Sequence, residues 1–215
     1  MCEEALKWGK GAKVVFIGDS ITDCGRRTCP LGLGSSYVRV INDLVTAGYP
    51  QLEINVVNRG ISGDTSRNLV QRWQADVLDE APDWLYISIG INDVWRQLAN
   101  RPAEAVLIDE FEVNYTKMIE TTQDKLPDCR IVPMETTVMG EDLSSQGNQL
   151  LVPYNQVIHS LAKKYKLDVV PTNKAFHNNI QARPNTQWTN DGVHPNSLGH
   201  ALMAITVLRT ATVSA

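Results

Sequence analysis

Four short segments of this 215-residue chain carry residue types that can do chemistry together. Near the start, Ser20 stands in Gly18-Asp19-Ser20-Ile21, directly after the apolar run Val14-Val15-Phe16-Ile17. Near the end, Asp191-Gly192-Val193-His194 places a carboxylate three residues before an imidazole, and Pro195 follows. A serine hydroxyl is a poor nucleophile until a neighbouring base takes its proton, and that base needs a partner that fixes its tautomer. Ser20, His194 and Asp191 have the residue types for those three tasks. Between them lie Gly60, in Asn58-Arg59-Gly60-Ile61-Ser62-Gly63, and Asn92, in Gly90-Ile91-Asn92-Asp93. The backbone N–H groups of Ser20 and Gly60 and the side-chain amide of Asn92 are candidate donors to an oxyanion. Losing one such donor typically costs about 100- to 1,000-fold in rate.

Each residue also has a plainer reading. Asp191 and His194 can make only a turn and a cap, Gly60 a turn that needs positive φ, and Asn92 an Asx-turn after a strand. Asp19 and Asp93 stand between turn chemistry and support of the site from behind; we read them as supporting and not catalytic. Of the four histidines, His159 and His200 fall within helical stripes and His177 in a polar loop with no motif around it. His194 sits in a loop just before a helix that Asn196 or Ser197 can cap, and Pro195 biases it toward an extended backbone. Taken with Ser20, the catalytic reading of Asp191 and His194 is the better one. Other chemistries lack their motifs. There is no G-x-S-x-G elbow, no G-x-x-x-x-G-K-[ST] loop and no H-E-x-x-H pair, so no metal and no cofactor is expected.

The elements that must position these residues show in the hydrophobic pattern. Short continuous apolar runs cover Lys13 to Ile17, Ile54 to Val57, Trp84 to Ile89, Arg130 to Pro133 and Asp168 to Val170, as strands buried on both faces should. Amphipathic stripes alternate with them, marked by Tyr37 to Val45, Leu69 to Val77, Ile108 to Thr122, Leu150 to Tyr165 and Leu198 to Leu208. This alternation predicts a three-layer α/β/α sandwich around a five-stranded parallel sheet of flavodoxin-like order. Ser20, Gly60 and Asn92 each follow the end of one of the first three strands, and should converge on one rim of the sheet. No repeat or linker interrupts the pattern, so residues 1–215 read as a single domain.

Composition narrows the partners. The chain is 43% hydrophobic and 20% charged, with a net charge of −4. That gives no reason to expect nucleic acid or an anionic membrane. No apolar run approaches the ~20 residues of a transmembrane helix. The first residues, Met1-Cys2-Glu3-Glu4-Ala5-Leu6-Lys7-Trp8, have no apolar stretch of a secretory signal, which points to a cytoplasmic location. Cys2, Cys24, Cys29 and Cys129 read as free thiols, with a Cys24–Cys29 disulfide as the minor alternative. A homo-oligomer stays open. Trp95, Trp188 and Tyr154 are candidates to line a binding site by stacking, or to serve as core or subunit contacts.

The four segments together resemble the SGNH hydrolases, also called the GDSL family, whose blocks are named for Ser, Gly, Asn and His. They match Ser20, Gly60, Asn92 and His194 in order, with Asp191 at the position of the triad Asp. Ile21 replaces the Leu of the family name, an apolar-for-apolar exchange. Phe16 to Arg26, Val56 to Gly63 and Ile89 to Gln97 are similar to the intracellular bacterial acetylxylan esterases of that superfamily. The resemblance implies the SGNH hydrolase fold and a metal-free serine esterase acting on short-chain esters, with O-acetyl groups of xylo-oligosaccharides or related sugars as the expected substrate. The same superfamily holds short-chain lipases, lysophospholipases and thioesterases. The segments Leu98 to Leu107 and Glu141 to Gln149 are polar, so no apolar lid is evident. The reading from another class is a carbohydrate-binding module without catalysis.

Overall fold

The computed structural model describes residues 5–99, 101 and 103–213. Cys2 lies outside the described residues. Four of the apolar runs become the parallel strands β1 (Lys13–Gly18), β2 (Asn55–Gly60), β3 (Trp84–Ser88) and β4 (Arg130–Pro133), in the order β2-β1-β3-β4. In the central strand β1, Val14 to Ile17 are all fully buried, because helices cover both faces of the sheet. At the edge, β2 alternates between buried and more exposed positions.

The sheet has four strands, not five. The run Asp168 to Val170 reaches the sheet at one point, a parallel bridge between Val170 and Met134. Val170 N–H donates to the Pro133 carbonyl at 2.9 Å, and Glu135 N–H donates to the Val170 carbonyl at 3.0 Å. The next residue, Pro171, has no N–H with which to extend the ladder, and a helix starts at Thr172. The position is that of a fifth strand; the pairing is too short to form one.

The helices are α1 (Ser20–Asp23), α2 (Tyr37–Gly48), α3 (Ser66–Trp73), α4 (Ile91–Leu98), α5 (Ile108–Lys125), α6 (Gln146–Tyr165), α7 (Thr172–Ala182) and α8 (Ser197–Ala211). One layer packs α2 on α8 and α8 on α7; the other packs α3 on α5 and α5 on α6. The five stripes correspond to α2, α3 with the π-turn that continues it, α5, α6 and α8. Helix α7 corrects the expected polar loop around His177. Its apolar side is only Phe176 and Ile180, four residues apart and both buried, which is too sparse to read as a stripe. Side chains hold several helix starts. Ser36 accepts from Val38 N–H, Ser145 from Asn148 N–H, and Asn196 from the N–H groups of Leu198 and Gly199, as expected of a cap at 196. Among the described residues, no helix is long and apolar enough to cross a membrane.

The register sets up one rim. Gly18 pairs with Gly60 on one side and with Ser88 on the other, so β1, β2 and β3 end level. The segments that begin at Asp19, Ile61 and Ile89 therefore leave the sheet side by side.

Candidate active site

Ser20 is the first residue of α1. Asp19 caps that helix, its Oδ1 accepting the Ile21 N–H at 2.9 Å. The Ser20 Oγ lies 2.9 Å from His194 Nε2, and His194 Nδ1 lies 2.7 Å from Asp191 Oδ2. A carboxylate can only accept, so Nδ1 carries the proton and Nε2 turns its lone pair to the hydroxyl. That is the tautomer of a general base. Burial works to raise the Asp191 pKa, but the backbone N–H and ring of His194 and the N–H of Val193 together hold it down to about 2. The carboxylate thus stays charged into strongly acidic solution.

The loop that carries this pair is closed at its stem. Thr189 and Pro195 form an antiparallel bridge, and Asn190 N–H donates to the His194 carbonyl at 2.8 Å. A residue with no motif around it anchors the stem. Glu141 Oε1 accepts from Trp188 N–H at 2.8 Å, Thr189 N–H at 2.8 Å and Thr189 Oγ at 3.0 Å.

Gly60 requires a correction. Its N–H is already donated, to Asn58 Oδ1 at 2.8 Å, and it is buried against α1. A Cβ there would lie 2.3 Å from the Asp23 nitrogen. The glycine serves the close approach of β2 to α1, and its N–H cannot turn to a substrate. Three residues on, Gly63 has φ +86, and its N–H is engaged by no hydrogen bond among the described residues. The loop bearing Gly63 is gripped from both sides. On one side Asp23 Oδ2 accepts from Ser62 N–H and Oγ at 3.0 and 2.8 Å. On the other, α4 holds it three times. Asn92 Nδ2 donates to the Asp64 carbonyl at 2.9 Å, Asp93 accepts from Ser66 N–H and Oγ, and the Arg96 guanidinium donates to the Gly63 carbonyl. The amide of Asn92 keeps a second N–H free for an oxyanion.

Asp19 and Asp93 are both buried behind these loops. Burial raises Asp19 to about 7 and Asp93 to about 6; the Ile21 N–H opposes the first shift and Ser66 the second. Each accepts backbone N–H groups at a helix start, Asp19 from Ile21 and Asp93 from Ser66. His200 is kept neutral, lowered to about 4 by burial and then by the nearby His194. Its Nδ1 accepts the Tyr37 N–H. His159 pairs with Glu135 at 2.6 Å, away from the site. Cys24, Cys29 and Cys129 are free, so Cys24 and Cys29 form no disulfide. Of the aromatic candidates, Trp188 and Tyr154 are core residues, 4% and 3% exposed, whereas Trp95 is 38% exposed. Among the described residues, no three of His, Cys, Asp and Glu come together as a metal site would require. A cavity of about 990 Å³ lies at the opposite, amino-terminal edge of the sheet, lined by Lys7, Asp83, Cys129, Arg130 and Asp168, and includes none of Ser20, Gly60, Asn92, Asp191 and His194.

Comparison with known proteins gives the family. A model described as the GDSL-like lipase/acylhydrolase family matches residues 16–202. An acetylxylan esterase of Geobacillus stearothermophilus is 37% identical over 212 residues, covering 95% of each chain. The thioesterase 1/protease 1/lysophospholipase L1 of Escherichia coli K12 is 25% identical over 185 residues, 85% of this chain and 75% of that one. Among solved structures, a catalytic mutant of the Geobacillus enzyme, with an Asp replaced by Ala, superposes with a TM-score of 0.89 at 34% identity, covering 97% and 98%.

Proposed function

The chain belongs to the GDSL-like lipase/acylhydrolase family, and we propose that it is a serine esterase removing short acyl groups, above all O-acetyl groups from xylo-oligosaccharides or related sugars. The observation that carries this is the continuous hydrogen-bonded chain from Ser20 Oγ through His194 to Asp191. Ser20 Oγ attacks the ester carbonyl while His194 Nε2 takes its proton. The tetrahedral oxyanion is held by the Ser20 N–H, the Asn92 amide and the N–H of Gly63 in place of Gly60. As the intermediate collapses, the ester C–O bond breaks and His194 returns the proton to the leaving alcohol. Water then attacks the acyl carbonyl as His194 takes its proton; the Ser20 Oγ–C bond breaks, His194 returns the proton to Oγ, and the acid leaves. Asp191 holds the ring and offsets its charge.

The sugar substrate is supported by the 37% identity with the acetylxylan esterase over 95% of the chain. The solved relatives described as catalytic mutants carry Ala in place of a Ser, an Asp or a His, which agrees with the triad assigned here. An intracellular setting belongs to the same reading and is supported by the three free thiols. The similarity to a thioesterase and lysophospholipase supports a second reading, in which longer acyl chains are accepted. Rates on p-nitrophenyl esters of two, four and eight carbons decide between them. The acetyl reading expects kcat/KM to fall from acetate to butyrate and to be negligible at octanoate. A maximum at four carbons or more would move the assignment to the second reading. No turnover of any ester would leave the carbohydrate-binding module.

A further inference from the structure

Helix α4 bears Asn92 in its first turn and Trp95 three residues later, on the same side of the helix. Its first four residues are buried, yet Trp95 and Leu98 are each 38% exposed, one turn apart. They face a groove of about 400 Å³ whose other walls include Met139, Gln146, Asp191 and Val193. That size suits a small molecule. The far wall is fixed. The buried Asn148 side chain accepts the Met139 N–H at 2.9 Å and donates to the carbonyls of Met139 and Asp142 at 3.1 and 2.8 Å. The near wall is the loop that ends in His194.

Direction follows from the chemistry. His194 hands its proton to the leaving oxygen, so the body of the leaving alcohol must lie against the loop carrying His194. The groove is lined by that loop and meets the Ser20–His194–Asp191 chain at Asp191. It is open, has a flat aromatic wall and carries Ser145 and Gln146 beside its apolar residues. An acyl chain would call for a closed apolar slot. A pyranose ring has a C–H face for an aromatic plane and a hydroxyl edge for polar neighbours. We propose that this groove is the leaving-group subsite and that Trp95 is its specificity-determining residue, stacking on the sugar that carries the ester. The inference rests on the sugar-esterase reading above.

The test compares kcat/KM for a mono-acetylated methyl xyloside with that for ethyl acetate, whose alcohol is too small to fill the groove. In Trp95→Ala the ratio of the two should drop at least about 10-fold, mainly through KM for the xyloside, while Trp95→Phe should keep most of it. If the unaltered enzyme shows no preference for the xyloside, the sugar-esterase reading fails and this subsite with it. If the preference exists and survives in Trp95→Ala, the reading stands and the subsite is wrong. An equal loss on both esters, or an unchanged ratio with a lower molecular mass by light scattering, assigns Trp95 to packing or to a second copy and overturns the proposal.

Discussion

Ser20 and His194 are 174 positions apart and still meet at 2.9 Å, because each sits at a point where an element begins: Ser20 opens α1 and His194 closes the loop before α8. Substitutions should separate their roles. Asn92→Ala should lower kcat by roughly 100-fold or more with KM little changed, since the oxyanion exists only after attack. Asp191→Asn should cost more, about 10⁴-fold, by leaving His194 in the wrong tautomer. Steady-state kinetics on p-nitrophenyl acetate measure both, and full activity in Asn92→Ala would return Asn92 to a turn role. The meeting of Ser20, His194 and Asp191 was readable because their residue types and order are distinctive. The glycine was not. Gly60 and Gly63 lie in one short stretch, and residue type does not say which N–H is free. The Asn58 side chain decides it by folding onto Gly60. Gly60→Ala should therefore act on stability, through the 2.3 Å approach to Asp23, and a thermal melt should show a large drop in Tm.

At the scale of elements, α4 and the 139–142 segment act as clamps. Asn92, Asp93 and Arg96 grip the loop after β2, and Glu141 grips the stem of the loop before α8. Removing the Glu141 carboxylate would leave two backbone N–H groups without their acceptor, a loss of about 1–3 kcal/mol each if they stay dry. Glu141→Ala should lower both Tm and kcat, with KM for acetate esters unchanged; an unaltered kcat would show that the stem holds itself. The strands were readable as continuous apolar runs, since burial on both faces removes alternation. Three helices were not, the four-residue α1 being too short to show a stripe. In α4 polar Asn92 and Asp93 are buried for the sake of the neighbouring loop, and in α7 only Phe176 and Ile180 mark the inner side. The fifth strand was overread because apolar content at Val169 and Val170 says nothing about how far pairing extends before Pro171.

For the molecule as a whole, Asp19 gives the fold a pH signature. Burial raises its pKa to about 7, so the folded state prefers the protonated acid. A raised carboxyl adds stability that is complete below the ordinary value near ~4 and is lost as pH rises through about 7. Asp19→Asn keeps an acceptor for Ile21 and removes the titration. Between pH 4 and 7 the Tm of the unaltered protein should fall relative to that variant, and parallel profiles would refute the assignment. Hydrolysis should be indifferent to EDTA, as the proposed steps move protons through Ser20 and His194 and hold the oxyanion on N–H donors; dependence on an added divalent ion would sink that mechanism. The most direct test of the whole account is the covalent intermediate. Turnover of p-nitrophenyl acetate, quenched with acid in the burst and mapped by peptide mass spectrometry, should place the acetyl group on Ser20, and Ser20→Ala should show neither acetyl group nor turnover. An acetyl group on another residue, or an active Ser20→Ala enzyme, would contradict it.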